Sequence, residues 1–544
     1  MIGEVLILGA GKTGLAVLEY VASTAPEIVS SFTLVGGRES ISLNILFPTK
    51  VEGRIALGTD TVPNPLMGEK YDVAIVSPGI SPSSDLYQAA KEKSKRIISE
   101  VEFAFLEMPE KWIAITGTNG KTTTTTLVSE LLNKLGIDAV SAGNIGLPLI
   151  EVAGTYKPRL NSIDVIQKRL NAETHYIFNG TDYEIDNHKI QVDPKNELPW
   201  IVAELSSYQL HNTFDFHPTI ACLLNITPDH LAWHGSFENY KRDKARIFQN
   251  LSDADVCVVG IDTPDSLEIA QKLLSEKKRV CCVSVVSKNQ RFLKEWDQLE
   301  NRAYLTANKR LHIDFAGNEY DLGPASQLPF KGDHNVQNVL AAAVMVIAAS
   351  NDSIKNLGEM LKRALQACSV LPHRIEEVAT IHGVAFINDS KATNFDSTLV
   401  ALRAFEPQKS VLLLGGKDKG IELDEGLLKQ IKEDCIAVVC FGEAGPRIAA
   451  DLEVAFSAEA TTTKTAKKVE LLIETPLLKL MPSMEDATRL AQKIAEQYPN
   501  PSDVVVLLSP GCSSFDEFSS FEERGMAFKG IMERLKQDIE HEEK

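Results

Sequence analysis

The sequence lacks the features that place a chain in a membrane, outside the cell or on a nucleic acid. Its longest apolar run, roughly residues 339–349 of 544, is too short to span a bilayer. The N-terminus has no basic stretch ahead of an apolar one, so we expect no secretory signal. The net charge of −18 is opposite in sign to the basic face of a dedicated nucleic-acid binder. These absences predict a cytoplasmic protein that neither inserts into a membrane nor binds nucleic acid.

Cysteine is sparse and shows no paired arrangement. The eight cysteines include no C-x-x-C pair, so we expect no disulfide framework, which fits a reducing cytoplasm. Hydrophobic residues make up 44% of the chain and charged residues 24%, which are ordinary values for a globular protein. At roughly 150 residues per domain, the length predicts three or four domains. Because the chain is acidic, any anionic ligand must be held by local Lys and Arg side chains, which makes those residues informative inside motifs.

Short apolar runs alternate with helical stretches in three successive blocks. This pattern predicts an α/β protein of three consecutive domains with mostly parallel sheets, Rossmann-like, P-loop and Rossmann-like in turn. We place the domains at 1–108, 109–370 and 371–544, with hinges near 106–112 and 369–373. Two polar, weakly patterned stretches, about 156–199 and 286–330, are interpreted as insertions of unknown role.

The strongest local motif is the glycine loop G-T-N-G-K-T between a predicted strand and a predicted helix. Such a loop points backbone N–H groups at phosphate, helped by the N-terminus of the helix. Lys121 would reach the terminal phosphates, and the Thr122 hydroxyl would bind Mg²⁺. Ile115 occupies the position of the first glycine in the usual longer motif. A plain glycine turn with an exposed lysine is the weaker alternative.

A second glycine loop, G-A-G-K-T-G at 9–14, follows the first predicted strand. It matches only part of the dinucleotide-binding pattern, because its third glycine falls one position early. A tight turn without a ligand is therefore an alternative. In its strand–loop–helix setting we interpret the loop as a binding site for a second nucleotide's diphosphate.

Acidic and basic side chains follow the next predicted strands. Glu204 ends an apolar strand, where a bare carboxylate is costly unless it meets a cation. His230 closes T-P-D-H after another strand, and Lys244 lies on the following helix. Each alone also fits a strand end, a turn or a solvated helix face. Together, after a phosphate loop, they predict a site for metal and phosphate.

The third block ends several predicted strands in polar loops. One is N-D-S-K-A-T-N at 388–394, and two others are G-G-K-D-K at 415–419 and S-S-F at 513–515, while H-R at 373–374 follows the preceding break. Polar loops at strand ends are common, so each alone has a structural explanation. Three of them on one edge of a parallel sheet predict a binding site.

At these residues the sequence resembles the Mur ligase family. The motifs that carry the resemblance are T-G-T-N-G-K-T, G-N-I-G-L-P, E-L-S-S-Y-Q-L, N-x-T-x-D-H, K-x-R-I-F, G-x-H-N-x-x-N and H-R-x-E, and they extend through all three blocks. D-S-K-A-T-N, with G-G-K-D-K-G and L-S-P-G-C-S-S-F-D-E-F, resembles the branch that adds D-glutamate. Ligases that add a diamino acid typically carry a different motif where D-S-K-A-T-N stands here.

The resemblance implies a role for each block and each motif residue. The blocks would bind the UDP-sugar, ATP and glutamate in that order. The implied ATP ligands are Gly117, Thr118, Asn119, Gly120, Lys121, Thr122, Asn335, Asn338, Arg374 and Asp389. The implied ligands of two Mg²⁺ ions are Thr122, Glu204, His230 and Lys244, with Lys244 carbamylated. The implied UDP-sugar contacts are Asn144 and His230, and the implied glutamate contacts are Lys391, Thr393, Lys419, Ser514 and Phe521. Lys12 and Thr13 in the first glycine loop, and Arg38 as a diphosphate contact, are further candidates for binding this substrate. The implied catalytic residues are Lys121, Glu204, His230, Lys244 and Lys391.

The implied activity is ATP-dependent ligation of D-glutamate to UDP-N-acetylmuramoyl-L-alanine through an acyl-phosphate, in peptidoglycan precursor synthesis, by a monomer. Another amino-acid ligase of the superfamily, such as a folylpolyglutamate synthetase or a diamino-acid-adding enzyme, is the alternative, and a nucleotide-sensing protein without turnover is a weaker one. One departure concerns the uridine contact. Members of this type often carry an acidic residue after the second strand, where this chain has Gly36-Gly37-Arg38.

Overall fold

The computed structural model divides the chain into two compact units. The first unit comprises Met1–Gln327 and Gln337–Cys368, and the second comprises Leu328–Val336 and Ser369–Lys544. The structure describes residues 3–23, 29–36, 52–59, 61–156, 198–286, 296–330, 332–350, 354–368, 372–418, 420, 422–462 and 475–542. Arg38, Lys419, most of the predicted insertion at 156–199 and part of the predicted hinge at 369–373 lie outside the described residues.

The N-terminal sheet of the first unit has five parallel strands in the order β3-β2-β1-β4-β5. Its strands are β1 (Gly3–Leu8), β2 (Val29–Gly36), β3 (Glu52–Leu57), β4 (Val73–Val76) and β5 (Ile97–Ser99), and its helices are Lys12–Ser23, Asp85–Lys93 and Glu100–Glu107. The apolar side chains of β1 and β4 are buried, as expected for strands covered on both faces. The sheet is therefore doubly wound, with β1 at its centre.

The larger sheet of the first unit has nine strands in the order β14-β13-β12-β11-β10-β9-β6-β8-β7. Its strands are β6 (Trp112–Thr116), β7 (Ala139–Gly143), β8 (Trp200–Glu204), β9 (Ile220–Leu223), β10 (Val256–Gly260), β11 (Arg279–Ser284), β12 (Arg302–Leu305), β13 (Arg310–Phe315) and β14 (Asn318–Pro324). The helices that accompany it are Lys121–Lys134, Leu149–Tyr156, Ser207–His211, Leu231–His234, Phe237–Ala245, Pro264–Ser275, Asp333–Ser350 and Leu357–Gln366. Strands β6 to β12 pair in parallel, so their carboxyl ends share one edge.

Residues 302–324, within the stretch 286–330 interpreted as a weakly patterned insertion, consist mainly of regular strands. They form β12, β13 and β14, and the last two strands add to the sheet in antiparallel order. In β13 the buried Leu311, Ile313 and Phe315 alternate with partly exposed residues. That alternation is the signature of a half-buried strand and was present in the sequence.

A glutamate fastens the N-terminal sheet to the larger sheet within the first unit. Glu102, on the helix Glu100–Glu107, is fully buried, and its carboxylate accepts backbone N–H bonds from Phe214, Asp215 and Phe216 at 2.9, 2.8 and 3.0 Å. Three donors around one carboxylate satisfy a charge that burial would otherwise make costly. The helix is thereby fixed against the loop that precedes β9.

The second unit contains a six-stranded sheet in the order β15-β16-β20-β17-β18-β19. Its strands are β15 (Glu376–Ile381), β16 (Val384–Asn388), β17 (Lys409–Gly415), β18 (Cys435–Phe441), β19 (Leu477–Leu480) and β20 (Val504–Gly511), and its helices are Phe395–Arg403, Glu425–Asp434, Gly445–Thr462, Met484–Glu496 and Phe521–Glu542. Only β15 runs antiparallel to its neighbour. The carboxyl ends of β16, β17 and β20 therefore meet at one edge, where the three predicted polar loops begin.

The predictions made from apolar runs and cysteines agree with this fold. The run at 339–349 is a buried part of the helix Asp333–Ser350. Within the described residues, no helix combines the length and apolar character needed to cross a bilayer. All eight cysteines are buried and unpaired with one another.

Candidate active site

The glycine loop follows β6 and leads into the helix Lys121–Lys134, as the sequence predicts. Gly120 has φ +83°, and a Cβ there would lie 2.4 Å from Oδ1 of Asn338. Only glycine fits this position, because both the backbone conformation and the space exclude a side chain. The helix begins without a side-chain cap, so its first N–H groups are left for an anion.

The glycine loop is braced by the loop that follows β9. The backbone N–H of Asn119 donates to Oδ1 of Asn225 at 2.8 Å, and the Asn225 amide donates back to the Asn119 carbonyl at 3.1 Å. The Thr118 hydroxyl lies 2.9 Å from the Tyr240 hydroxyl. Asn225 and Tyr240 were not among the predicted site residues, and the only sequence signal for Asn225 is its place in N-x-T-x-D-H.

Two lysines converge on one carbonyl of the glycine loop. Lys121 Nζ donates to the Gly117 and Thr118 carbonyls at 2.8 Å each, and Lys244 Nζ donates to Gly117 at 2.7 Å. Lys244 is only 2% exposed. Burial first, and then the charge of Lys121, hold the pKa of Lys244 well below its ordinary value. Lys121 thus supplies a positive charge where a phosphate would bind, in a chain whose net charge is strongly negative.

Glu204 provides a buried oxygen that has no hydrogen-bond partner. The residue ends β8, is 1% exposed, and accepts a bond from the Asn144 amide at Oε1 over 2.9 Å. Its other oxygen, Oε2, is buried and makes no hydrogen bond. A buried carboxylate oxygen left unpaired is costly unless a cation binds it. These features fit a magnesium ligand, since carboxylate oxygens suit Mg²⁺.

His230 lies at the start of the short helix Leu231–His234 with a left-handed backbone, φ +54°. Its side chain is half-exposed and its ring lies 4.9 Å from the ring of Tyr208. Burial lowers its pKa, and the charge of Asp229 opposes that effect. Across the ranges that the structure describes, no three His, Cys, Asp or Glu side chains cluster as a metal site. Of the two implied metals, one at Glu204 would therefore take further oxygens from Thr122 or phosphate, and one at His230 from modified Lys244 or phosphate.

A buried network that the sequence analysis missed lies next to Lys244. Asp243 accepts bonds from Nδ1 of His211 at 2.8 Å and from Nδ1 of His234 at 3.0 Å. Although burial raises the pKa of Asp243, these two hydrogen bonds outweigh it and leave that pKa lowered. Nε2 of His234 lies 2.9 Å from the Ser207 hydroxyl. The network joins three short helices around the site, and it has no local signal because its members are far apart in sequence.

The first glycine loop is shaped by close packing. A Cβ on Gly9 would lie 2.7 Å from the Ser77 hydroxyl, and one on Gly14 would lie 1.7 Å from the Gly9 carbonyl oxygen. The ammonium of Lys12 donates to the carbonyl oxygen of Gly146 at 2.5 Å. Thr13 lies in the first turn of the following helix. Lys12 thus reaches the loop that follows β7, which also carries Asn144.

In the second unit, Asp389 follows β16 and is buried. Its Oδ2 accepts from the Ser509 hydroxyl at 2.8 Å, and its Oδ1 accepts from the Ile375 backbone N–H at 3.3 Å. Burial raises the pKa of Asp389 to about 7, against the effect of the Ser509 bond and the Arg374 charge. Burial, and then the charge of Arg374, lower the pKa of His334 to about 4. Asn335 follows His334 in the same unit.

Within the described residues, the predicted glutamate contacts lie around the loops after β16 and β20 and at the start of the helix Phe521–Glu542. The Lys391 ammonium lies 3.7 Å from the centroid of the Phe521 ring, a cation–π contact. Ser514 is buried in the loop after β20, and Thr393 lies in the loop after β16. In the loop after β17, Asp418 forms a two-armed ion pair with Arg447 at 2.8–3.1 Å.

The two units thus bring together different sets of predicted residues. The first unit gathers the glycine loop 117–122 with Asn144, Glu204, Lys244 and Asn338, and His230 lies on the adjoining loop. The second gathers Asp389 with Arg374, and Lys391 with Phe521. Together with the parallel sheets, a glycine loop flanked by a buried carboxylate and two lysines defines a nucleotide-binding α/β protein of the P-loop type.

Known proteins that resemble this chain fall within the nucleotide-binding α/β class and belong to one family of it. The sequence profile described as "Mur ligase middle domain" matches residues 115–346. The chain is 33% identical over 541 residues to the UDP-N-acetylmuramoylalanine--D-glutamate ligase of Geobacillus kaustophilus, covering 98% of each chain. It is 30% identical to the protein of that name from Koribacter versatilis, covering 98% of this chain and 97% of the other.

The chain belongs to the Mur ligase family, in its UDP-N-acetylmuramoylalanine--D-glutamate ligase branch. Among solved structures, the folylpolyglutamate synthase of Mycobacterium tuberculosis, complexed with ADP and AMPPCP, superposes with a TM-score of 0.51 at 16% identity. The match covers 79% of this chain and 94% of that one. This likeness supports the α/β fold predicted from the sequence.

Proposed function

We propose that this chain joins D-glutamate to UDP-N-acetylmuramoyl-L-alanine with consumption of ATP. The observation that carries the proposal is the unpaired Oε2 of Glu204, which lies at the end of β8 beside the strand that leads into the glycine loop. Lys121, whose ammonium donates to Gly117 in the same loop, adds a positive group for phosphate. The names of its relatives support the choice of substrates.

The chemical problem is that a carboxylate is a poor electrophile. In the proposed first step, a carboxylate oxygen of the UDP-sugar substrate attacks the γ-phosphorus of ATP, and ADP leaves. The amine of glutamate then attacks the carbonyl carbon of the resulting acyl-phosphate. The tetrahedral intermediate expels phosphate, which carries away one oxygen of the original carboxylate, while the amine loses a proton.

The residues of the first unit suit the first step. Two anions approach each other, so the loop N–H groups and Lys121 reduce the repulsion and stabilise the transferred charge. Thr122 and Glu204 would hold one Mg²⁺. His230 would hold the second together with Lys244 as a carbamate, whose oxygens replace an ammonium with an anionic ligand. Bound there, magnesium would supply charge neutralisation on the phosphate oxygens.

In the second unit, Lys391 and Ser514 suit the second substrate, an amino acid with two carboxylates. An ammonium and a hydroxyl at neighbouring strand ends can both bind carboxylates. The ring of Phe521 holds the Lys391 ammonium in place.

Oxygen tracing tests the proposed route. UDP-N-acetylmuramoyl-L-alanine labelled with ¹⁸O in its carboxylate should give inorganic phosphate that contains one labelled oxygen per amide formed. Omitting the amino acid is the control, and it should leave the released phosphate essentially unlabelled. Phosphate without label in the complete reaction would exclude the acyl-phosphate.

A further inference from the structure

Arg524 is a fully buried arginine in the first turn of the helix Phe521–Glu542. Its guanidinium donates four hydrogen bonds: Nε to the Ser390 hydroxyl at 2.9 Å, Nη2 to the carbonyls of Ser390 at 2.8 Å and Cys512 at 3.0 Å, and Nη1 to the Ser513 carbonyl at 3.3 Å. None of these four acceptors is a carboxylate. The planar, charged guanidinium therefore binds three backbone carbonyls and one hydroxyl.

Other basic residues of the second unit are bound differently. Arg447 pairs with Asp418, and Lys529 pairs with Glu376 at 2.6 Å. A buried cation without a bonded carboxylate is costly to desolvate. Burial lowers the pKa of Arg524 to about 10, so the group is still protonated at neutral pH. Ion pairing therefore does not explain why Arg524 is buried.

The four bonds connect two strand-end loops that carry predicted substrate contacts. Ser390 precedes Lys391 in the loop after β16, and Cys512 and Ser513 precede Ser514 in the loop after β20. The Ser390 hydroxyl in turn donates to the Phe521 carbonyl at 2.9 Å. Arg524 thus sits where the backbone of both loops and the start of the helix meet.

The loop after β17 approaches the same point. A Cβ on Gly416 would lie 2.4 Å from the Ser513 carbonyl oxygen and 2.9 Å from Nη1 of Arg524. The backbone N–H of Lys417 donates to the same Ser513 carbonyl at 2.8 Å. The Ser513 carbonyl therefore receives bonds from Arg524 and from the third loop, which links all three loops through one oxygen.

We propose that Arg524 is a positioning residue of the amino-acid pocket, fixing Lys391 and Ser514 relative to each other and so setting the affinity for the incoming dicarboxylic amino acid. This inference rests on the proposed function. A lysine at 524 would keep the charge but present a single ammonium, which cannot reproduce a planar fork spread over four acceptors. The geometry of the loops is then lost although the charge is kept.

The variant Arg524→Lys tests the proposal through separate kinetic constants. We expect the KM for D-glutamate to rise about tenfold or more, the effect of losing one or more charge-assisted hydrogen bonds. The KM for the UDP-sugar, whose implied contacts lie in the first unit, should remain within about twofold of wild type, and the KM for ATP should rise less than that for D-glutamate because Asp389 lies in one of the two loops. Hydrogen exchange should accelerate in the backbone of 389–394 and 511–516, and the rest of the second unit should exchange as before.

Two further variants separate positioning from general stability. Ser390→Ala removes the hydroxyl that accepts from Arg524 and donates to Phe521, but it leaves the three backbone acceptors of Arg524 in place. We therefore expect a smaller rise in the same KM, about threefold. Arg489→Lys is the matched control, because Arg489 lies in the same unit but pairs with Glu485 and Asp538. It should leave all three KM values and the exchange of both loops unchanged.

Two results would overturn the inference: an unchanged KM for D-glutamate with unchanged loop exchange in Arg524→Lys, or a parallel rise of all three KM values with a lower melting temperature. If the wild-type enzyme itself does not use D-glutamate, the proposed function fails. Hydrogen exchange of Arg524→Lys then decides the positioning role alone. Faster exchange confined to the two loops would support that role, and exchange as slow as in wild type would reject it.

Discussion

The side-chain nitrogen of Lys244 donates a hydrogen bond to the carbonyl oxygen of Gly117 over 2.7 Å and lies 4.8 Å from the centroid of the Tyr240 ring. Lys121 donates to the same carbonyl. The loop that would bind phosphate is therefore held by two lysine side chains from different helices. Its geometry depends on the helix Phe237–Ala245 as much as on the helix that the loop itself begins.

Replacement of Lys244 tests the proposed carbamate. Lys244→Ala should nearly abolish phosphate release, because it removes a ligand oxygen that the modified side chain would supply. A small carboxylic acid such as acetate should restore part of the activity by occupying the vacated space. The measurement is the rate of phosphate release at saturating ATP and Mg²⁺, with and without the acid.

Lys241 offers the control for Lys244 on the same helix. It pairs with Asp265 and Glu268, away from the glycine loop. Lys241→Ala should keep wild-type activity, with a stability change of about 1 kcal/mol or less. Full activity of Lys244→Ala would rule out the carbamate.

Two buried glutamates of the first unit should respond in opposite ways to the same substitution. Glu204→Gln keeps the Oε1 acceptor for Asn144 but removes the charge at the unpaired Oε2. We expect activity to fall at least ~100-fold because a magnesium ligand is lost. The free energy of unfolding without ligands should stay the same or rise by about 1 kcal/mol.

Glu102→Gln is the counterpart, because the Glu102 carboxylate accepts three backbone N–H bonds. It should lower the free energy of unfolding by roughly 2 kcal/mol and leave the Mg²⁺ dependence of the rate unchanged. Urea titrations and Mg²⁺ titrations of both variants provide the comparison. A destabilised Glu204→Gln with a normal Mg²⁺ response would contradict the assignment of Glu204.

Alanine substitutions of two glycines, one at each end of the helix Lys121–Lys134, distinguish the effect of backbone strain from the effect of a side chain that obstructs the glycine loop. Gly120 and Gly136 have φ of +83° and +79°, but only Gly120 lacks space for a Cβ. Gly120→Ala should raise the KM for ATP about tenfold or more, because the clash with Asn338 distorts the loop. Gly136→Ala should cost about 1 kcal/mol of stability and leave the KM for ATP unchanged. Equal KM values in the two variants would mean that the shape of the loop is not what binds ATP.

Glu100 should make stability depend on pH. Burial raises its pKa from 4.5 to about 7 in the folded state, although the Ile150 backbone N–H donates to it at 2.7 Å. The folded protein then keeps a proton that the unfolded chain has lost between these pH values. The free energy of unfolding should therefore fall as pH rises from about 4.5 to about 7, by roughly 3 kcal/mol, and level off above.

Urea titrations of Glu100→Gln at pH 5 and pH 8 check that prediction. The variant cannot ionise at this position, so it should gain stability relative to wild type at pH 8 and lose that advantage at pH 5. Glu19→Gln, at an exposed position of the helix Lys12–Ser23, should follow the wild-type curve. A constant difference between Glu100→Gln and wild type would show that Glu100 does not titrate in this range.

Local patterns predicted the strands and loops that build the site. Ile115 could be recognised as a strand residue rather than part of the glycine loop, and it pairs with Glu204 across β6 and β8. Glu204 itself was identifiable because an acid at the end of an apolar strand needs a partner. Strand β13 was missed although Leu311, Ile313 and Phe315 alternate, since its polar neighbours lowered the apparent hydrophobicity of the segment.

Contacts between distant segments could not be predicted from local patterns. The Tyr240 hydroxyl meets Thr118 only because two helices and a loop pack together, and the bonds of His211 and His234 to Asp243 arise in the same way. The contacts of Arg524 could not be predicted from local patterns either. Its sequence context suggests a solvated helix residue, whereas the fold buries it completely.

The most direct test of the central claim is phosphate release by the purified protein with ATP, Mg²⁺ and UDP-N-acetylmuramoyl-L-alanine, supplied in turn with D-glutamate, L-glutamate or meso-diaminopimelate. The account predicts release that depends on D-glutamate and stays near background with the other two. Release with another amino acid, or with none of the three, would contradict the proposed activity and the assignment of the pocket around Lys391 and Ser514.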